Sequence, residues 1–129
     1  MLVGDTLAQN VRMQPERTAL IFGDRRLTWR QLNDGANRVA NAMVKLGARA
    51  GDRVVYPLEN GIEFIEVFFG LAKIGVISAP VMPNSVGREI AHVIDDLGAK
   101  FVICGEQARD AIADIAGTCR SLEEIIGIG

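Results

Sequence analysis

Residues 59–83 read ENGIEFIEVFFGLAKIGVISAPVMP, and the stretch from Ile62 to Ile74 limits the fold more than any other. Wound at 3.6 residues per turn, Ile62, Phe64, Ile65, Val67, Phe68, Phe69, Leu71, Ala72 and Ile74 cover nearly the whole circumference. A helix resting on one partner needs only a single apolar stripe. This one is expected to be covered on more than one side. Gly75 stops it, and VISAPV then has the length and unbroken apolarity of a strand buried on both faces. Nothing in the segment is an obvious catalytic residue, so it reads as framework.

The neighbouring sequence supplies the other parts of an α/β domain. TALIFGDRRLT holds two β-prone runs about Gly23 and Asp24, with glycine where a type II′ hairpin needs it. Thr28 with Gln31 forms a capping box, and Leu27 with Leu32 has the spacing of a hydrophobic staple. A helix follows with Leu32, Ala36, Val39, Met43 and Leu46 on its apolar side, and Gly47 closes it as a left-handed cap. A strand is predicted near residues 53–58, with Pro57 ending its ladder on one side. Asn60 with Glu63 repeats the capping logic before the apolar helix. Ser85 is expected to cap a helix burying Ile90, Val93, Ile94 and Leu97 and ending at Gly98. KFVIC reads as an interior strand, Gln107 to Ala116 as a further helix, and SLEEII as the opening of one more.

Strands near 53–58, 76–80 and 100–104 alternate with helices, which predicts an α/β fold with a parallel sheet of at least three strands plus an N-terminal β-hairpin. A parallel sheet is normally covered on both faces and wider than three strands. The sheet therefore reads as unfinished, and residues 1–129 as one fragment of a larger domain. With 49% hydrophobic residues and a mean hydropathy of +0.20, the chain is expected to carry apolar surface that lacks its partner.

Several classes are disfavoured. A net charge of −2, and only Lys45, Lys73 and Lys100 as widely separated lysines, argue against a nucleic-acid partner. Arg25 and Arg26 adjoin each other but belong to a solvated hairpin tip. Cys104 and Cys119 have neither the spacing of a zinc or redox pair nor the density of a disulfide scaffold, and read as reduced thiols. The opening MLVGDTLAQNVRMQPERT lacks a basic stretch followed by an apolar one, so no secretory leader is expected. No run is apolar enough for a transmembrane segment, and a cytoplasmic location is the default expectation.

A search for chemistry returns little. There is no phosphate loop ending in Gly-Lys, no dinucleotide fingerprint between a strand and a helix, and no G-x-S-x-G elbow. His92 and Asp96 share a helical face, but two ligands fall short of a metal site, and a surface imidazole beside solvated carboxylates is the simpler reading. Glu63 and Glu66 could be taken for an acid/base pair; a cap plus a surface charge accounts for them more simply.

The order of elements from Pro15 to Cys104 resembles the amino-terminal part of the adenylate-forming enzymes, which include acyl-CoA synthetases, luciferases and peptide-synthetase adenylation domains. The pieces that carry the resemblance are LTWRQL before the first long helix, LG and GDRV around the turn into the strand, then FFGLAKIGVISAPVMP and EIAHVIDDLGAKFVI. It implies a parent that activates a carboxylic acid with ATP as an acyl-adenylate, releases pyrophosphate and passes the acyl group to a thiol, usually that of CoA. Mg²⁺ normally assists by neutralising phosphate charge. Fatty-acid and related CoA ligases are the most similar members, with a carrier-protein-loading adenylation domain as an alternative. From a different class, a free-standing α/β binding module remains open.

The family's phosphate loop, adenine and ribose motifs and mobile carboxy-terminal domain have no counterpart in these 129 residues, so the chain alone is expected to be inactive, to hold no cofactor and to self-associate through apolar surface. Relatives commonly read Asn-Pro-Arg after SAPV, near the CoA phosphates. Here Met82, Pro83 and Asn84 stand in those places. The resemblance thus nominates Asn84 and Arg88 for the vicinity of the CoA phosphates, and no residue for catalysis or metal binding.

Overall fold

The structure, a computed structural model, describes residues 3–128 and, for side chains, residues 5–128. It divides into two compact units, residues up to 50 with 60–76, and residues 51–59 with 77 onward.

The first unit contains α1 (Val3–Met13), the hairpin β1 (Thr18–Phe22) and β2 (Arg25–Thr28), α2 (Trp29–Lys45) and α3 (Ile62–Lys73). The hairpin is antiparallel, with Phe22 opposite Arg25 and Ile21 opposite Arg26. Gly23 has φ 61°, whereas no described non-glycine residue has positive φ. Asp24 is therefore not left-handed, which excludes a type I′ turn and fits the expected type II′. The Thr28 hydroxyl accepts from the Gln31 N–H at 3.1 Å, and the Gln31 side chain accepts from the Thr28 N–H at 2.9 Å, completing the capping box. The apolar side of α2 is as expected except at its end, where Leu46 is exposed and Gly47 turns the chain at φ 96°.

In α3 every residue but Glu63 is buried or half-buried. Its apolar girth is explained by two helical neighbours, α1 and α2. Leu7, Leu32 and Ala36 form the centre of this packing, with Val11, Trp29, Ile65 and Phe69 around them. The cap of α3 differs from expectation. Gly61, not Asn60, stands at the N-cap, with no side-chain hydrogen bond. Glu63 instead accepts from its own backbone N–H and from Arg25.

The second unit is a four-stranded parallel sheet in the order β4 (Ile77–Pro80), β3 (Arg53–Tyr56), β5 (Phe101–Cys104), β6 (Glu124–Gly127). Helices α4 (Gly87–Leu97) and α5 (Arg109–Ile115) belong to it, and α5 is flanked by single 3-10 turns. Val55, Val102, Cys104, Ile90, Ile94 and Ile112 share one core. At the amino ends of the central strands, Lys100 Nζ lies 3.2 Å from Asp52 Oδ1, and the Arg53 guanidinium donates to the Leu97 carbonyl at 2.9 Å. Gly98, at φ 64°, ends α4 as expected.

Three expectations are corrected in this unit. SLEEII does not open a helix: residues 124–127 pair with β5 as β6, because a fourth parallel strand satisfies backbone groups that β5 would otherwise leave open. VISAPV is not buried on both faces: β4 is an edge strand, and Ile77 is 49% exposed. Ser85 does not cap α4, whose N-cap Val86 offers no side-chain acceptor.

Candidate functional site

Parallel strands send all their carboxyl ends to one margin of the sheet, the usual place for ligands in open α/β folds. In the second unit that margin is built from three segments. Residues 57–59 follow β3, residues 81–86 follow β4 and lead into α4, and Gly105 follows β5. The chain leaves β3 for β4 on one side, then crosses to β5 on the other, so the strand order reverses between β3 and β5. Leu58 and Gly105 meet there: a methyl on Gly105 would stand 3.5 Å from Leu58 Cδ2 and 3.9 Å from the Ile128 carbonyl. This part of the margin is closely packed.

Asn84 and Arg88 lie on the segment after the edge strand β4. Asn84 is exposed in a turn closed by the Ser85 N–H donating to the Met82 carbonyl at 3.0 Å. Arg88 is exposed in the first turn of α4. Neither side chain has a hydrogen bond or ion pair with another described residue. Because α4 lacks a side-chain cap, its first amide groups are free to meet an acceptor from outside the helix. Met82 and Val86 flank the turn as exposed apolar residues, 67% and 51% accessible.

Two buried groups close strands at this margin, of which Tyr56 escaped the sequence reading and Cys104 was read only as a reduced thiol. Tyr56 ends β3, fully buried and in register with Pro80. Burial raises its phenol above the ordinary value, and a hydrogen bond with the Ser78 side chain partly offsets that shift. Cys104 ends β5, also buried, and burial pushes its thiol up against a smaller opposing effect of Arg109. Both therefore stay protonated at neutral pH and act as packing groups, not nucleophiles. A tyrosine closing an apolar strand was the available signal for the first.

The remaining candidates are surface groups. His92 Nε2 lies 3.6 Å from Asp96 Oδ2, with both side chains about three-quarters exposed. Among the described residues, no group of three or more His, Cys, Asp or Glu is arranged to hold a metal. In the first unit, Glu63 pairs with Arg25 at 3.2 Å and Glu66 with Arg38 at 3.8 Å. These carboxylates have cations of their own and do not face a shared reaction centre. No helix among the described residues is long and apolar enough to cross a membrane.

Comparison with known proteins gives this margin its context. A sequence model described as "AMP-binding enzyme" matches residues 7–128. The chain is 33% identical over 112 residues to the long-chain-fatty-acid–CoA ligase FadD13 of Mycobacterium tuberculosis, covering 85% of this chain and 22% of that protein. It is 38% identical over 97 residues to a crotonobetaine/carnitine–CoA ligase of Salmonella paratyphi B, covering 71% of this chain and 19% of that one. Among solved structures, anthranilate CoA ligase AuaEII in complex with anthranoyl-AMP superposes with a TM-score of 0.94 at 31% identity, over 100% of this chain and 25% of the other. A fatty acyl CoA synthetase of M. tuberculosis gives 0.92 at 30%, over 98% and 26%. The chain thus spans about a fifth to a quarter of the relatives it matches. A match across nearly all its residues, joined to a four-stranded parallel sheet and an antiparallel hairpin that superpose on acyl-CoA ligases, places the chain in the AMP-binding family of adenylate-forming enzymes.

Proposed function

We propose that this chain forms part of the framework of an ATP-dependent acid–CoA ligase acting on a fatty acid or a related carboxylic acid. The observation that carries the reading is the match over residues 7–128 to the AMP-binding family, with CoA ligases among its relatives. In the parent, the carboxylate attacks the α-phosphorus of ATP, releasing pyrophosphate and giving the acyl-adenylate. The CoA thiol then displaces AMP and forms the thioester. The described residues do not suit Mg²⁺, since no carboxylate cluster is arranged for it, and no step is assigned to this chain through that ion.

The residues after β4 do suit the edge of a phosphate-bearing ligand. Arg88 offers an unpaired guanidinium, Asn84 an unpaired amide, and α4 a free amino end. Their role is to hold the CoA phosphates near this margin, and the chemistry belongs to other parts of the parent. The chain by itself is inactive, binds no cofactor stably, associates with itself through apolar surface and resides in the cytoplasm. A carrier protein in place of CoA is the second reading, favoured by Asn84 standing where relatives commonly carry Arg, since one fewer cation weakens phosphate binding.

The test is made on the parent protein containing these residues. Pyrophosphate exchange into ATP that depends on a fatty acid supports the ligase, and CoA-dependent release of AMP separates the first reading from the second. Absence of acid-dependent exchange across a panel of carboxylic acids rejects both.

A further inference from the structure

The first unit carries an open groove of about 380 Å³ that the ligase reading does not use, lined by Arg25, Arg26, Leu27, Gln31, Asp34 and Arg38. Three guanidiniums in one groove suggest an anion, yet carboxylates match them. Asp34 lines the same groove, Glu63 pairs with Arg25 at 3.2 Å, and Glu66 reaches Arg38 at 3.8 Å. With all three ionised the local charge is balanced, and a small anion gains little.

The three carboxylates are not equivalent. Glu66 is the shielded one: its side chain is only 17% exposed and lies against Gly35, where a β-carbon would occupy the same space. Its ion-pair partner, Arg38, is 74% exposed and already lines the groove. We propose that the groove is an acid-gated site for a small tetrahedral oxyanion, with Glu66 as the gate. When Glu66 takes a proton, Arg38 loses its counter-charge and the groove holds one more cation than anions.

The surroundings of Glu66 support this order of events. Burial favours its neutral form most, and Glu63 one turn earlier on α3 adds to that, while Arg38 from α2 and Arg25 from β2 oppose it. Arg26 and Asp34 complete the charges lining the groove. α1 meets this region through Leu7 and Val11, and its Asp5 and Arg12 are not among the groups acting on Glu66. Glu63 shifts in the opposite direction and keeps its charge, and so its hold on Arg25, to lower pH.

Inorganic sulfate is the probe, because its charge is constant across the acid range. Binding is read by NMR titration against chloride at fixed ionic strength, with the Glu66 carboxyl carbon followed in the same samples. Sulfate affinity is expected to rise about tenfold as Glu66 protonates, the scale of one unit charge in a solvated groove. Glu66→Gln, which keeps the shape against Gly35, is expected to bind at neutral pH as tightly as the wild type in acid. Arg26→Gln is expected to lose binding with an unchanged circular dichroism spectrum. Equal affinity at neutral and acid pH, a midpoint that tracks another carboxyl, or a Glu66→Gln chain indistinguishable from wild type overturns the proposal. So does acid-dependent binding to phosphatidylglycerol vesicles without binding to sulfate.

Discussion

Gly70 of α3 lies so close to Val39 of α2 that a methyl on its Cα would stand 2.7 Å from the Val39 Cβ, and 2.8 Å from the Ala36 carbonyl oxygen. Neither obstacle can move without shifting α2. Gly70→Ala is therefore expected to destabilise the chain by roughly 1–3 kcal/mol through overpacking, despite the better helix propensity of alanine. Gly35→Ala is the contrast, since the group in its way is the end of the flexible Glu66 side chain. Its cost is expected to stay within about 1 kcal/mol, as the carboxyl turns aside and alanine favours the helix. Urea denaturation of the two variants measures the difference; equal losses would contradict the packing.

Thr28→Ala removes the hydroxyl that accepts from the Gln31 N–H at the start of α2, leaves the reciprocal bond from the Thr28 backbone N–H in place, and is expected to cost about 1 kcal/mol. Ser85→Ala is expected to be close to neutral, because α4 takes no side-chain bond at its N-cap. Thermal unfolding of both variants in one buffer checks the pair.

These two residues also show what the sequence made legible. Thr28 and Gln31 form their box within a single turn, and Gly23, Gly47 and Gly98 each set a left-handed bend that the local chain requires. Such features depend on neighbours only a few residues away. Ser85 and Asn60 had the right chemistry, but the N-caps fall one residue beyond each of the expected positions, at Val86 and Gly61. SLEEII failed for a longer-range reason: a serine followed by acids mimics a helix start, and only the open ladder of β5, some twenty residues earlier in the chain, makes it a strand. Likewise the apolarity of VISAPV did not reveal that β4 would lie at the sheet's edge. At the candidate site, Asn84 and Arg88 were reached by resemblance, whereas the burial of Tyr56 and Cys104 at strand ends needed the sheet.

Opposite pH dependences are expected from two carboxylates on the same helix. The hydrogen bond from its own N–H lowers Glu63 below the usual 4.5, despite some desolvation, and Arg25 assists. Its stabilisation is therefore present above the unfolded value and lost as pH falls through the lower folded one. Burial raises Glu66, so its contribution is present below the unfolded value and lost as pH rises through the higher folded one. Glu63→Gln should cost stability at neutral pH and little in acid. Glu66→Gln should gain relative to wild type as pH rises from acid to neutral. Denaturant midpoints across that range, compared with wild type, give both signs.

On the proposed function, Arg88→Gln in the parent protein is expected to raise the KM for CoA about two- to fivefold, the range of one exposed ionic contact. Acid-dependent pyrophosphate exchange should not change, because that half-reaction precedes CoA. Asn84→Arg is expected to lower the KM for CoA. Steady-state kinetics with CoA varied, alongside the exchange assay, separates a phosphate contact from a general loss of structure.

The outer margin of β4, with Ile77 uncovered, pairs with no further strand among the described residues and turns the Ser78 N–H and carbonyl outward, while Pro80 has no N–H to offer. Such a margin templates whichever extended strand arrives first. Crowding, more than heat, should then govern how long the purified chain stays dispersed, and a short strand-forming peptide added in trans should delay its clumping.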